Sequence, residues 1–310
     1  MIRFVLLSLP IFGMITLGWA AVKVEVMPAA ALEALGAFSF RFALPALVLR
    51  LIIGEPLTAL FNPRFFAGYL ASGCLLFALT FGLSRWLQRQ SSPVAGARAT
   101  SATVSNLGFL GPSFVLAFFG QRGAGPLAMA IVAEIVILMS LGTAIMAGTM
   151  TTGVDTSSLI FRSIVRTPVI IAIAAGAVIA ATGIALPQSL DNFLAFLGAS
   201  AAPTALFAVG GALAAQRINR STGLVALGIT LVKLVIYPLT VWCVLALALR
   251  LDPFWSNIGV LIASLPSAGS TYVLAQRFAA DADRISAGIA LSTTVSLVTV
   301  PWIGWMVVGP

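Results

Sequence analysis

The chain has 310 residues, of which 60% are hydrophobic and only 8% charged, with a mean hydropathy of +1.09. That is too little polar surface to cover a water-soluble globule of this size, so the composition excludes a soluble domain and predicts a polytopic membrane protein. The formal charge of +8 lies mostly in short gaps between apolar runs, where basic residues orient helices and do not signal nucleic acid, and the absence of histidine excludes imidazole metal sites and histidine proton relays.

A hydrocarbon core roughly 30 Å thick needs about 20 apolar residues of helix. Ten stretches approach that length: Phe4 to Val22, Leu32 to Ile53, Phe65 to Trp86, Ala99 to Phe119, Pro126 to Ala147, Thr167 to Ala185, Leu190 to Ala214, Gly223 to Leu249, Phe254 to Ala275 and Ser286 to Val308. The first imitates a signal peptide, with Arg3 ahead of it and small residues at Ala20 and Ala21, but it reads as a helix that pairs with the sixth span. The second carries Arg41 and a kinking Pro45, and the fourth is weakened by Asn106, Gly108, Gly111 and Pro112. The fifth holds Glu134, the single acid deep within an apolar span. A polar linker from Gly148 to Ser163 separates two halves of five spans, and the seventh span repeats the kink at Pro203. Lys233 and Tyr237 fall in the eighth, and the ninth is interrupted by Ser264, Pro266, Ser267, Gly269 and Ser270. Asp281-Ala282-Asp283-Arg284 reads as a helix start with capping carboxylates, a simpler account than a metal motif. Cys74 and Cys243 both lie in apolar spans and read as small core residues, not as a disulfide or metal pair.

The halves share one register. Pro45 and Pro203 stand 158 residues apart, as do Gly111 and Gly269, Glu33 and Asp191, and Phe38 and Phe196. An odd number of helices per half inverts the second copy in the membrane. Ten of the 17 basic residues, among them Lys23, Arg98, Arg277 and Arg284, collect on one side, and five, among them Arg50 and Arg122, on the other. The positive-inside rule then puts the Gly148 to Ser163 linker in the cytoplasm and both termini outside it. The expected fold class is an all-α polytopic membrane protein of ten transmembrane helices, arranged as two inverted five-helix repeats with broken helices 4 and 9.

Corresponding interruptions in two inverted halves are the sequence pointer to a secondary transporter's binding site. Freed backbone at membrane depth is tolerated only inside protein or beside a wet cavity, where half-helix amides hold an anion and carbonyls a cation. Asn106 is the leading neutral candidate, since its amide both donates and accepts; the alternative is a purely helix-breaking role. Gly108, Gly111 and Pro112 complete that break, and Ser264, Pro266, Ser267, Ser270 and Thr271 form its hydroxyl-rich counterpart, although hydroxyls in such helices also cap backbone. Lys233 reads as attracting a carboxylate, neutralising Glu134, or reaching to the interface. Glu134 is the candidate for proton or cation coupling, with a structural salt bridge to Lys233 as the alternative. Tyr237 and Tyr272 read either as lining the cavity or, the simpler account, as packing at the interface.

The runs Ser105-Asn106-Leu107-Gly108-Phe109-Leu110-Gly111-Pro112, Ala43-Leu44-Pro45-Ala46-Leu47 and Ser264-Leu265-Pro266, followed by Leu291-Ser292-Thr293, resemble the auxin efflux carrier family of bacterial transporters over essentially the whole chain. The resemblance implies the crossed-helix fold shared with plant PIN carriers and bile-acid sodium symporters. It assigns residues 1–62 and 151–221 to scaffold helices 1, 2, 6 and 7, with the linker, and residues 63–150 and 222–310 to a moving transport unit of helices 3–5 and 8–10. It also implies an organic-anion substrate such as malate, malonate or an auxin-like weak acid, alternating access, and a homodimer formed through the scaffold helices in a bacterial inner membrane. Ser105 and Thr293 join Glu134 as ion-coupling candidates, with a proton or sodium as the coupling ion and no other cofactor. The chain departs from the family pattern at Glu134, where an Asp-Asn pair is common. The other classes weighed are a sodium-coupled symporter of a larger amphipathic anion, a channel, and a membrane-embedded enzyme. The last would need a catalytic constellation, and a serine with Lys233 is the one pairing available.

Overall fold

The computed structural model describes residues 2–56, 60–148, 167–215 and 222–308, and its regular structure there is helical. Most of the expected linker, and with it Arg162, Arg166, Arg217 and Arg220, lies outside those residues. Among the described residues, six helices are long and apolar enough to cross a membrane: Ala30–Ile53, Pro63–Leu87, Gln121–Ala147, Gln188–Ala214, Gly223–Ala248 and Ala282–Val308.

In chain order, α1 is Ile2–Lys23, and α2 (Ala29–Phe38) continues through a π-turn, Ser39–Ala43, into α3 (Leu44–Ile53). The wide turn falls immediately before Pro45, whose missing amide hydrogen and bulky ring disfavour an ordinary helical turn there. Next is α4 (Pro63–Gly82), started by Pro63 at its first position and by the Asn62 side chain accepting from the amides of Arg64 and Phe65 at 3.1 Å each. The fourth predicted span is two helices, α5 (Ser92–Thr103) and α6 (Gly111–Phe119). The fifth comprises α7 (Ala124–Ile131), a π-turn at Val132–Leu138 and α8 (Met139–Ala147).

The remaining chain forms α9 (Pro168–Thr182), α10 (Gln188–Ala199) and α11 (Ala201–Ala215), the last two parted at Ser200 just before Pro203. The eighth span runs through α12 (Gly223–Leu231), a π-turn at Val232–Ile236, α13 (Tyr237–Trp242) and a second π-turn at Cys243–Ala248. The ninth is again two helices, α14 (Pro253–Ala263) and α15 (Ser270–Arg277), before the long α16 (Ala282–Val308). Cys243 is exposed and Cys74 half-buried, so neither is the core residue expected. The outward faces carry large apolar side chains, including Phe196, Leu224 and Trp302, as a helix bundle solvated by lipid requires.

Two units of packing set the frame for the site. On one side, α1 lies against α11 with backbones nearly touching: a Cβ added at Gly18 would stand 2.0 Å from the Phe207 carbonyl oxygen, and one at Gly210 would stand 1.9 Å from that of Ile15. Small residues at a helix crossing permit this approach, and close packing drives association where both helices are already in lipid. Gly210→Ala is therefore expected to force α1 and α11 apart and cost about 1–3 kcal/mol, read as a lower unfolding midpoint in detergent. On the other side, α5, α14 and the helices around them bury the two interruptions. Between the two sides, Phe12 of α1 meets Phe114 of α6 at 6.0 Å between ring centroids, and Phe40 of the first π-turn meets Phe109 at 6.3 Å.

Candidate functional site

Both interruptions exist, and they meet. Between α5 and α6 the backbone of Val104 and Ser105 is extended, and between α14 and α15 that of Pro266 to Ala268 runs antiparallel to it, pairing Ser105 with Ser267. The Asn106 amide donates to the Pro266 carbonyl at 2.8 Å, and the Ala268 amide donates to the Val104 carbonyl at 3.0 Å. A proline at 266 suits this segment because its carbonyl is used while its absent N–H is not needed. Ser267 adds a third tie, its hydroxyl donating to the Ser101 carbonyl at 2.7 Å.

The remaining amides of the paired serines are satisfied by two further helices. Ser105 N–H donates to Glu134 Oε2 at 2.6 Å, and Ser267 N–H donates to Ser292 Oγ at 3.3 Å. Glu134 and Ser292 stand 158 residues apart, the offset of the sequence repeat. One break is thus capped by a carboxylate and the other, at the matching position, by a hydroxyl.

Glu134 is fully buried in the π-turn Val132–Leu138. Its Oε1 accepts from Tyr69 at 2.6 Å, from Ser105 Oγ at 2.9 Å and from Tyr237 at 3.2 Å. Four donors thus converge on one side chain. Lys233, also fully buried and in the π-turn Val232–Ile236, does not touch it. Among the described residues the ion pairs are Arg50 with Asp191, Arg98 with Asp281, and Arg284 with Asp281. The Lys233 ammonium donates to the Ala263 carbonyl at 2.6 Å, at the carbonyl end of α14, and lies 4.7 Å from the Tyr237 ring centroid. A donor at a helix C-terminus satisfies a free carbonyl and offsets the helix dipole, and Tyr237, bonded to Glu134 and beneath Lys233, links the two side chains. The direct salt bridge weighed from the sequence gives way to this arrangement, and so does an open Lys233. Tyr237 is likewise a buried linker and not an interface residue.

The other expected residues divide clearly. Asn106 is 7% exposed and its side-chain amide has no hydrogen-bond partner among the described residues. Gly108 lies against Phe40, Gly111 against Leu127, and Pro112 is buried at the start of α6. Gly269 and Ser270 are exposed, and a Cβ at Gly269 would meet nothing within 4 Å. By contrast Ser264, Thr271 and Thr293 are buried and return their hydroxyls to backbone carbonyls of Leu261, Ala268 and Ile289 at 2.7 Å each. These three hold the local backbone and have no donor left for a solute. Tyr69 escaped the sequence reading, because an aromatic in an apolar span carries no signal of its partner 65 residues away.

Between α1, α11 and α16, a cavity of about 270 Å³ is lined by Ile15, Thr16, Trp19, Leu213, Ala290, Thr294 and Leu297. Ala290 and Thr294 share one face of α16, and Ser292, which meets Ser267, lies on the opposite face, so the cavity is on the far side of α16 from that contact. Farther along, Arg98 is 4% exposed and donates to Asp281 Oδ2 at 2.6 and 3.1 Å and to Gln88 Oε1 at 2.7 Å. Asp281 starts α16 through its backbone carbonyl, which accepts from Arg284 and Ile285 at 3.1 Å each. Its carboxylate is therefore an ion-pair partner and not the expected cap.

A family model described as "Membrane transport protein" matches residues 4–304. The chain belongs to that family. Membership accords with the resemblance carried by the two interrupted spans, and makes this membrane transport protein a multi-pass transporter, not an enzyme. It is 31% identical over 297 residues to a Rhizobium meliloti (strain 1021) protein named "Putative malonate transporter", covering 95% of this chain and 92% of that one. It is also 27% identical over 238 residues, 74% of each chain, to "Uncharacterized transporter YfdV" of Escherichia coli (strain K12).

Proposed function

We propose that this membrane transport protein is a secondary carrier of a small organic anion, held where the two interrupted helices cross. The observation that carries the reading is the Ser105–Ser267 pairing, which brings the amino ends of α6 and α15 to one crossing and leaves Gly269 and Ser270 exposed and the buried Asn106 side-chain amide without a hydrogen-bond partner among the described residues. Helix amino ends attract anions, and their amides need no further side chain to do so. Malonate is a reasonable first probe because a relative bears that name.

In this reading the chain makes ten transmembrane helices in two inverted repeats, supported by the 158-residue register and by the matched caps Glu134 and Ser292. Helices 1, 2, 6 and 7 form the scaffold and the others the transport unit, which rocks or slides to expose the crossing to either side. With both termini outside a bacterial inner membrane, the cavity beside Trp19 and Leu213 lies in the cytoplasmic half. The opposite half is sealed where Phe114 meets Phe12 and Phe118 lies against Gly304. The conformation then corresponds to a carrier open towards the cytoplasm. Glu134 couples the cycle to a proton or another cation, with Ser105 as its reporter at the crossing. Exposed Phe38, Phe42, Phe193 and Phe196 give the scaffold an apolar outer face suited to a second copy.

The test is uptake into proteoliposomes of a carboxylate panel under separately imposed proton, sodium and electrical gradients. Saturable uptake with counterflow supports a carrier. Flux without saturation or counterflow would mean a channel, and a strict sodium requirement would mean the sodium-coupled alternative. Asn106→Ala is expected to weaken substrate affinity by roughly tenfold, the loss of one to two hydrogen bonds. An undiminished malonate-induced thermal shift in that variant would remove Asn106 from the site.

A further inference from the structure

We infer that the end of α4 binds an anionic phospholipid, its phosphate held by Arg85 and Arg89 and an acyl chain lying along Leu75, Leu79 and Leu83. Neither the cargo site nor the orientation of the chain enters into it. The three leucines follow one another at four-residue intervals, so they form one stripe along α4, and all three are exposed. The stripe ends at Trp86 and Leu87, each 76% exposed, in the π-turn Leu83–Leu87 that closes the span Pro63–Leu87. The Trp86 ring folds back along the helix over Gly82, where an added Cβ would stand 2.8 Å from it. Tryptophan at the end of a span marks the boundary between hydrocarbon and headgroups.

Guanidiniums stand at this apolar edge. Arg85 donates to the Gln90 carbonyl at 3.2 Å, which turns it towards the loop, and Arg89 sits in that loop on left-handed backbone, with φ 54°. Both are exposed, and neither forms an ion pair among the described residues. A second loop adds charge of the same sign. Arg98 donates to Gln88 Oε1 and to Asp281 Oδ2, tying the α4–α5 loop to the α15–α16 loop, where Arg277 and Arg284 stand. Residues 85–98 and 276–284 together hold five arginines against two acids, Asp281 and Asp283, an excess of three positive charges. Asp281 is already engaged by Arg98 and Arg284. A soluble anion would answer the charge and leave the leucine stripe and Trp86 unused, whereas a zwitterionic lipid would cover the stripe and bring its own cation against the arginines. A lipid with a net negative headgroup satisfies both.

The experiment mixes the full chain, purified in detergent, with phosphatidylglycerol or phosphatidylcholine whose acyl chains carry bromine, which quenches tryptophan fluorescence on contact. Phosphatidylglycerol is expected to quench at a mole fraction about thirtyfold lower, the worth of two basic residues beside an anionic headgroup. Trp86→Phe is expected to remove that excess quenching, and its persistence without Trp86 overturns the inference. Arg85→Gln with Arg89→Gln, both at exposed positions, is expected to bring the two lipids level while the unfolding midpoint in pure detergent stays unchanged. Arg64→Gln with Arg122→Gln removes as much charge at the other end of the bundle and is expected to keep the preference. Equal quenching by both lipids in the parent, or a preference that survives the loss of Arg85 and Arg89, overturns the inference. So does a preference lost equally in the Arg64 and Arg122 variant, which would mean attraction to net charge alone. Glycerol phosphate is expected not to relieve the quenching, and relief would overturn the lipid in favour of a soluble anion.

Discussion

Glu134→Gln is expected to abolish gradient-driven accumulation, lowering it at least about tenfold, while the protein still reaches the membrane. The carboxylate accepts from Tyr69, Tyr237 and both polar groups of Ser105, so every neighbour is a donor. An amide nitrogen in place of Oε2 would face the Ser105 N–H donor to donor, at a cost of about 1–3 kcal/mol. It would also remove the acid that faces buried Lys233 across Tyr237, adding to that cost. Lost stability and lost coupling are therefore expected together. Glu134→Gln combined with Lys233→Met separates them, because it removes the facing amine as well. The double variant is expected to regain most of the unfolding midpoint and none of the coupled accumulation. Accumulation at the parental level in the single variant would exclude Glu134 from coupling.

The second large effect is expected at Asp281. Its carboxylate engages Arg98, 4% exposed, on one side and Arg284 on the other, joining the start of α16 to the middle of α5. Asp281→Asn is the informative change, because the backbone there is left-handed, with φ 62°, and asparagine adopts that conformation nearly as well as aspartate. The substitution removes charge and little else. Leaving Arg98 buried and unneutralised is expected to cost about 3–5 kcal/mol, measured by thermal unfolding in detergent. Adding Arg98→Met is expected to restore much of it, since an apolar side chain of similar length needs no counter-ion. A midpoint within experimental scatter of the parent for Asp281→Asn would mean that water reaches Arg98 and that the pair holds nothing together.

Much of this was legible because helix breakers and buried charge leave local marks. Pro112 and Pro266 announce the interruptions, and Glu134 stands out as an acid in an apolar span. The start of α5 was not legible. Ser92 to Ala99 is polar and rich in small residues, so hydropathy begins the span at Ala99, yet from Ala95 onward every residue of α5 is buried in protein. A helix wrapped by other helices need not be apolar. Partnerships were hidden for a different reason: Glu134 bonds Tyr69 and Tyr237 at separations of 65 and 103 residues, and Arg98 bonds Asp281 at 183. Such separations are set by how the helices stack, which no local pattern encodes. Ser264, Thr271 and Thr293 looked like ligands because a hydroxyl reads the same whether it faces a cavity or its own helix.

The pairing of Ser105 with Ser267 carries a mechanical consequence. Two interrupted rods would ordinarily be the softest parts of a bundle, free to bend at their gaps. Here each gap is riveted to the other by main-chain bonds in both directions, with a side-chain cap on either flank, so the weakest points of both halves stiffen each other. In the proposed carrier, displacement would then be taken up where the riveted block meets its neighbours, along the Phe12–Phe114 and Phe40–Phe109 faces, and a cargo seated at the rivet would be carried with it without its seat being taken apart.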